Sequence, residues 1–144
     1  MSMRRLAKEA RSFVADETVL ALSPGDRLDE WTAVIAGPPD SPYRGGRFSL
    51  AISVPPGYPI EAPEIRFTSR CCHPNVDWKS GRICLDLLAQ AWSPSWTLRS
   101  SLVAIALLLA DPQPDSPLNC DAANLLRDGD VIGYNSLVSM YTQC

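Results

Sequence analysis

Residues 31–54 read WTAVIAGPPDSPYRGGRFSLAISV, and this stretch decides the fold. Apolar and polar side chains alternate with a period of two over 31–36 and again over 48–54, which is typical of half-buried β-strands. The residues between them are rich in glycine and proline, which favour turns. The sequence therefore predicts two antiparallel strands at the centre of a sheet.

The predicted sheet continues toward the C-terminus. The run 55–59, Pro-Pro-Gly-Tyr-Pro, ends the second strand because proline lacks the amide that a sheet ladder requires. Residues 65–68, Ile-Arg-Phe-Thr, predict a further short strand. Residues 20–22, Leu-Ala-Leu, precede the first of these strands. Successive strands of this kind form a meander.

Helical patterns lie on both sides of the strands. Apolar residues recur at helical spacing over 2–14, and basic residues fall on another face, so this segment predicts an amphipathic helix. The run 98–110 is apolar on nearly every side, which predicts a buried core helix with Thr97 as its N-cap. Two short helices are predicted near 121–127 and 131–141.

Length and composition restrict the class of protein. We expect residues 1–144 to form one domain, with helices packed on one face of an antiparallel sheet, an α+β class. A net charge of −3 argues against nucleic acid as the main partner. The longest apolar run, 102–110, is far shorter than the roughly 20 residues that cross a bilayer. Without a secretory signal, we expect a cytosolic protein that does not insert into membranes.

The cysteine count is odd, with five cysteines and no export signal, which favours reduced thiols. A bridge from Cys71 or Cys72 to Cys120 would depend on the separation of their Cα atoms in the fold. A metal site of Cys71, Cys72, His73 and Cys84 would use adjacent ligands, unlike the spacing of structural zinc sites. We therefore predict neither a metal nor a cofactor.

The segment between Phe67 and Thr97 has about thirty residues and little periodicity, which is typical of functional loops. It contains His73-Pro74-Asn75 and, nine residues after the asparagine, Cys84. A cysteine thiol can accept an activated acyl group without a dedicated base. Cys84 could equally be a small buried residue between its apolar neighbours. The pattern alone leaves both interpretations open.

Several motifs together resemble the ubiquitin-conjugating enzyme family. They occur in order over nearly the whole chain: Tyr58-Pro59 with Pro63, His73-Pro74-Asn75, Ile83-Cys84-Leu85-Asp86, Trp92-Ser93-Pro94, and then Asp111-Pro112, Pro114-Asp115 and Pro117-Leu118, with positions 113 and 116 unspecified. The resemblance implies the ubiquitin-conjugating fold, a four-stranded antiparallel meander with an N-terminal helix, a central core helix and two C-terminal helices. The intervals over 75–81 and 115–126 resemble the peroxisomal subgroup of this family.

The resemblance implies a catalytic role for several residues. Cys84 would accept ubiquitin as a thioester from the activating enzyme, which consumes the ATP, and pass it to a substrate with a ligase. Asn75 would stabilise the oxyanion or hold the active-site loop, and both roles suit an amide donor. Asp86 would orient the acceptor or satisfy loop amides. His73 would make a structural hydrogen bond.

The chain departs from many family members at Ser116, where they have an aspartate that helps a lysine to attack. A carboxylate there would raise the pKa of an attacking thiol, so a neutral residue suits a cysteine acceptor better. Asp115, the preceding residue, weakens this argument. We therefore hypothesise a bias toward thiol or hydroxyl acceptors, in keeping with the import receptor that the peroxisomal subgroup modifies on a cysteine.

The resemblance also implies three docking surfaces. The basic helix face of Arg4, Arg5 and Lys8 would bind the activating enzyme, and Ile60 with the loop Ser93-Pro94-Ser95 would bind a RING-type ligase, so these partners should compete. The outer sheet face near 20–22 would bind a membrane-anchored recruiter at the cytosolic face of the peroxisome. Ordinary packing of the sheet edge is the other explanation of that segment.

Two alternatives remain from the sequence. A conjugating-fold protein could be a catalytically silent binding module, although such proteins usually lack the cysteine and Cys84 is present. An active enzyme could instead carry another ubiquitin-like modifier. The charges of the first helix bear on that choice without deciding it.

Overall fold

The computed structural model describes residues 3–83, 85–115 and 117–142, with the backbone alone at 85–87 and 120. Within these ranges the chain forms an antiparallel four-stranded sheet in the order β1-β2-β3-β4 and five helices. The elements are α1 (Met3–Ser12), β1 (Val19–Pro24), β2 (Glu30–Ala36), β3 (Arg47–Ser53), β4 (Glu64–Phe67), α2 (Leu85–Ala91), α3 (Leu98–Ala110), α4 (Cys120–Arg127) and α5 (Val131–Thr142).

The meander predicted from the alternating stretches is confirmed. Strand β2 pairs with β3 over its whole length, from Glu30 opposite Ser53 to Ala36 opposite Arg47. The inward positions of both strands are buried, and Trp31 is only 1% exposed. A period of two placed these residues on one face because successive side chains of a strand point to opposite sides.

Residues 20–22 lie inside the edge strand β1 and not before the first strand. The pairing of β1 with β2 shifts register between Val19 and Ala21, so the period of two is interrupted there. Leu22 faces the core, whereas Ala21 is exposed. The expected outer face of this segment therefore consists of little more than Ala21.

The central helix α3 has the predicted boundaries. The Thr97 side chain accepts a hydrogen bond from the Ser100 amide as N-cap, and the helix ends before Asp111. Leu102 and Leu109 are buried in the core, but Leu107 is 66% exposed. The apolar sequence predicted burial on all sides, yet the sheet covers only part of the helix surface.

Helix α2 interrupts the segment that was expected to be a long loop. It has only seven residues, Leu85–Ala91, too few for a helical period to show in the sequence. No helix within the described ranges is both long enough and apolar enough to cross a bilayer.

A short hairpin, residues 76–83, connects the sheet to α2. Val76 pairs with Ile83 at its base, and the Phe67 amide donates to the carbonyl of Gly81 at 2.8 Å. Gly81 has a φ of 74°, and a Cβ there would lie 1.9 Å from the Phe67 carbonyl oxygen. The turn is closed by the Asp77 carboxylate, whose pKa is lowered by hydrogen bonds from Ser80.

We predict that Gly81→Ala lowers the free energy of unfolding by about 3 kcal/mol, because it combines a left-handed backbone with a clash against Phe67. Gly129→Ala is the matched control, since Gly129 has a φ of 76° but open space where a Cβ would lie. It should cost only about 1 kcal/mol. Urea denaturation measures both, and equal losses would contradict the close approach at Gly81.

Candidate active site

His73 lies in the core with a fully used imidazole. His73 is 0% exposed. Its Nδ1 accepts from the backbone amide of Asn75 at 3.0 Å, and its Nε2 lies 2.8 Å from the carbonyl oxygen of Leu108. Since an amide can only donate to Nδ1, the proton must be on Nε2, which donates to Leu108. Burial lowers the pKa of His73 to about 4. The imidazole is therefore neutral and structural.

Asn75 joins two segments of the chain through a reciprocal pair of hydrogen bonds. Its Nδ2 donates to the Gln113 carbonyl at 2.7 Å, and the Gln113 amide donates to its Oδ1 at 2.8 Å. The Asn75 side chain is 0% exposed. These contacts hold the segment that follows α3, which is one of the two roles expected for the Asn75 side chain.

The same segment receives a second pair of hydrogen bonds. The carbonyl of Pro74 accepts from the amides of Leu118 at 2.7 Å and Asn119 at 3.0 Å. Asn119 in turn caps α4 through a hydrogen bond from the Ala122 amide. The chain from the end of α3 to the start of α4 is therefore attached to residues 73–75 at both of its ends.

A buried polar cluster supports this segment from below. The Tyr43 hydroxyl donates to the Cys72 carbonyl at 2.5 Å and lies 3.0 Å from the Tyr134 hydroxyl of α5, which must therefore donate to it. Cys71 and Cys72 are free thiols. Burial raises the pKa of Cys71 well above its usual value and that of Cys72 to about 11. Both thiols are therefore protonated and poorly reactive at neutral pH.

Two residues singled out as catalytic, Cys84 and Ser116, lie outside the described residues, as does the side chain of Asp86. The residues around Cys84 are described. Ile83 pairs with Val76, which directly follows Asn75, and α2 begins at Leu85. One peptide bond thus joins Cys84 to the strand that runs beside the buried Asn75 segment.

Arg5 was expected on the docking face of the first helix, but its guanidinium makes contacts within the chain. One nitrogen donates to the Pro94 carbonyl at 2.8 Å, and another donates to the carbonyl of Trp96. The guanidinium also lies 5.4 Å from the centre of the Tyr58 ring. Arg4 and Lys8 are exposed, as a docking face requires.

Glu9 joins three segments of the chain, a role that was not predicted from the sequence. Its carboxylate accepts from the Tyr58 hydroxyl at 2.6 Å, from the Leu98 amide at the start of α3 at 2.7 Å, and from Arg5 at 3.5 Å. A negative charge is favourable at this position, because the amides of a helix N-terminus point toward it. No sequence pattern marks one glutamate in an amphipathic helix.

The structure brings the expected ligase-contact residues to one surface. Ile60 is 80% exposed, and Pro94 and Ser95 are exposed as well. The Trp92 indole donates to the Pro59 carbonyl at 2.9 Å, which fixes the loop of Ile60 beside the loop of Pro94. Arg5 contacts the same loop, so the first helix and this surface are physically connected.

A metal site has little chemical support here. Among the described residues, no group of three His, Cys, Asp or Glu side chains could hold an ion. The alternative with Cys71, Cys72, His73 and Cys84 includes Cys84, which lies outside those residues. His73 has no free nitrogen, because Nδ1 accepts from the backbone amide of Asn75 and Nε2 donates to Leu108.

Known proteins share both the sequence motifs and this fold. A family model described as ubiquitin-conjugating enzyme matches residues 3–142. The chain belongs to the ubiquitin-conjugating enzyme family. The sequence-based predictions of this family, its fold and its enzyme class are thereby confirmed.

Relatives of known name match this ubiquitin-conjugating enzyme over almost its whole length. Protein PEROXIN-4 of Arabidopsis thaliana is 51% identical and is aligned over 99% of this chain and 93% of its own. Ubiquitin-conjugating enzyme E2 pex4 of Dictyostelium discoideum is 49% identical over 96% of this chain and 95% of its own. The expected similarity to the peroxisomal subgroup is confirmed.

A solved structure of a ubiquitin-conjugating enzyme, Pex4p, has a similar fold. The H. polymorpha ubiquitin-conjugating enzyme Pex4p, crystallised in complex with the soluble domain of Pex22p, is 40% identical to this chain with a TM-score of 0.85. The superposition covers 97% of this chain and 91% of Pex4p.

We predict that His73, the single histidine of this enzyme, titrates near pH 4 in the folded state. Its lowered pKa contributes stability that is complete above the ordinary pKa of 6.5 and is lost as the pH falls toward 4. Between pH 7 and about 5 the wild type should lose about 2 kcal/mol more stability than His73→Gln. Urea unfolding at the two pH values measures this difference, and parallel losses in both proteins would contradict the buried neutral imidazole.

Proposed function

We propose that Cys84 is the residue of this ubiquitin-conjugating enzyme that accepts ubiquitin as a thioester. The observation that carries the proposal is its covalent position, between Ile83, which pairs beside the Asn75 segment, and the first residue of α2. The other cysteines in the described core, Cys71 and Cys72, have raised pKa values and are buried. They are poor nucleophiles by comparison with an ordinary thiol.

The proposed step needs no histidine base. The thiolate of Cys84 attacks the thioester carbonyl carbon of ubiquitin on the activating enzyme. A new C–S bond to Cys84 forms, the C–S bond to the activating enzyme breaks, and the cysteine of that enzyme leaves as a thiolate. An activated thioester can undergo this exchange without a dedicated base. The buried and fully bonded His73 fits such a mechanism, because it has no lone pair left to accept a proton.

We assign Asn75 a positioning role in this chemistry. Its Oδ1 and Nδ2 both bond to the Gln113 backbone, which supports a loop-holding function. Asp86 lies in the first turn of α2 and would orient the acceptor that attacks the thioester. Ser116 would place a neutral side chain where many family members have an aspartate, which would favour a thiol acceptor.

The relatives suggest where the enzyme works. The proteins named PEROXIN-4 and E2 pex4 are about half identical to it, and Pex4p was crystallised with a domain of a second protein. We infer that this enzyme is recruited by a membrane-anchored partner to the cytosolic face of the peroxisome. Its substrate there would be an import receptor.

Two further partners follow from the surfaces. Exposed Arg4 and Lys8 would dock the activating enzyme, and Ile60 with Ser93, Pro94 and Ser95 would dock a RING-type ligase. Because Arg5 ties the helix to the Pro94 loop, the two partners would meet at one connected surface and compete. Competition in a pull-down with both partners would support this arrangement.

We predict that the wild-type protein, incubated with ubiquitin, activating enzyme and ATP, forms an adduct that thiol reagents cleave. Cys84→Ala should abolish it, and Cys84→Ser should form an oxygen ester that resists thiols. Cys144→Ala, which removes a different thiol, is the matched control and should charge normally. Gel electrophoresis with and without reducing agent measures the adduct.

The outcomes separate the candidate functions. An adduct that persists in Cys84→Ala would reject Cys84 as the acceptor. Charging with another ubiquitin-like modifier and its activating enzyme, but not with ubiquitin, would show that the enzyme carries that modifier. Failure with all modifiers, when the activating enzyme is shown to be competent, would indicate a catalytically silent binding module.

We predict that Ser116→Asp speeds discharge of the thioester to free lysine more than discharge to free cysteine. A carboxylate helps the lysine to lose its proton and raises the pKa of a thiol. Ser116→Asn is the control, because asparagine has nearly the shape of aspartate but no charge. Single-turnover discharge from charged enzyme measures both rates, and equal effects on the two acceptors would remove the proposed preference.

A further inference from the structure

The hairpin 76–83 carries an unusual concentration of positive charge for an acidic chain. Arg82 lies on the hairpin opposite Arg66 of β4, Lys79 lies at its turn, and Arg70 lies beside it. All four side chains are exposed. We call this set, Arg66, Arg70, Lys79 and Arg82, the basic ridge.

No residue of the basic ridge forms an ion pair within the described part of the chain, where the ion pairs found are Arg5–Glu9, Arg27–Asp29 and Arg99–Asp16. The Asp77 carboxylate binds the amide and hydroxyl of Ser80 and so holds the turn, and the charges of Arg82 and Lys79 help to lower its pKa. Glu30 and Glu64 line the hollow beside Arg66 and Arg82. The excess of positive charge is therefore on the hairpin side of the surface.

The ridge separates two hollows on the surface. The larger, of about 820 Å³, is lined on the ridge side by Arg66, Arg82 and Ser80, over a floor that includes Thr32 and Ala51 of the sheet. These two residues oppose each other in neighbouring strands, and their small side chains leave room above the sheet. Glu30 and Glu64 also line this hollow, so its positive side is the side of the hairpin.

The smaller hollow, of about 310 Å³, lies on the other side of the hairpin. It is lined by Arg70, Lys79 and Trp78, together with the hydroxyl residues Thr68 and Ser69. Its wall is rigid, because the Trp78 ring packs against Tyr141 at 4.7 Å and under the Arg70 guanidinium at 5.4 Å. Each hollow thus presents two cations and at least one hydroxyl donor.

We propose that the basic ridge docks an acidic segment of a partner polypeptide, laid across the hairpin with carboxylate side chains in both hollows. Guanidinium groups match carboxylates in charge and geometry. Because these cations line two hollows, carboxylate side chains that enter the hollows can reach them. The hairpin leads directly into Cys84, so the segment would be held beside the proposed nucleophile. That consequence rests on the proposed function, but the binding itself does not.

The test is fluorescence anisotropy of the full chain with a labelled hexaglutamate peptide, with hexaglutamine as the neutral probe. The wild type should bind hexaglutamate more tightly than hexaglutamine. This preference should decrease as the salt concentration is raised from about 50 mM to about 500 mM, because salt screens exposed charges. Arg66→Glu with Arg82→Glu should weaken binding about tenfold, the loss of two exposed ion pairs.

The matched control is Arg44→Glu with Arg127→Glu, which changes the net charge equally at exposed cations outside the ridge. It should bind within about twofold of the wild type. Should the first double variant fail to fold, Arg70→Glu with Lys79→Glu tests the other hollow and should weaken binding similarly. Equal weakening by the control, or no preference for hexaglutamate, would overturn the proposal. Binding to anionic phospholipid vesicles without binding to hexaglutamate would assign the ridge to membranes and overturn it as well.

Discussion

The reciprocal hydrogen bonds between the Asn75 side chain and the Gln113 backbone are the contact on which the site depends. They join segments 38 residues apart and are fully excluded from solvent on the Asn75 side. A buried amide left unpaired costs about 1–3 kcal/mol, so separating the two segments is unfavourable. His73 strengthens the arrangement, because its ring bonds to the backbone amide of Asn75 and to the carbonyl of Leu108 near the end of α3. Residues 73–75 therefore connect the core helix, the hairpin that leads to Cys84, and the segment that leads to α4.

A second polar contact organises the opposite end of the core helix. Glu9 joins α1, Tyr58 and the first amide of α3, while Arg5 reaches from the same helix to the Pro94 loop. The chain thus has a polar connection at each end of α3, one through the buried Asn75 and one through the partly buried Glu9. One supports the proposed catalytic segment, and the other supports the surfaces proposed for the activating enzyme and the ligase.

The sequence predicted what depends on local periodicity. Strands β2 and β3 follow from alternation, and α3 follows from its apolar run and the Thr97 cap. Helix α2 was missed because seven residues show no period. The resemblance implied four strands, but alternation did not locate β1 because its register shift interrupts the pattern. The family and the fold came from ordered motifs.

Contacts between residues distant in sequence could not be predicted in the same way. The pairing of Asn75 with Gln113, the hub at Glu9 and the internal bonds of Arg5 join residues 38 to 91 positions apart. Arg5 looks like any exposed arginine of an amphipathic helix until the fold brings the Pro94 loop against it. The residue type of Asn75 was compatible with two functions, and only the fold shows that its side chain bonds to the Gln113 backbone.

Amide hydrogen exchange at Gln113 tests most directly whether Asn75 holds this segment in place. In the wild type the Gln113 amide should be protected, because it donates to the buried Oδ1 of Asn75. In Asn75→Ala its exchange should accelerate far more than that of the Ala122 amide, which is held independently by Asn119. Unchanged protection at Gln113 in the variant would contradict the account.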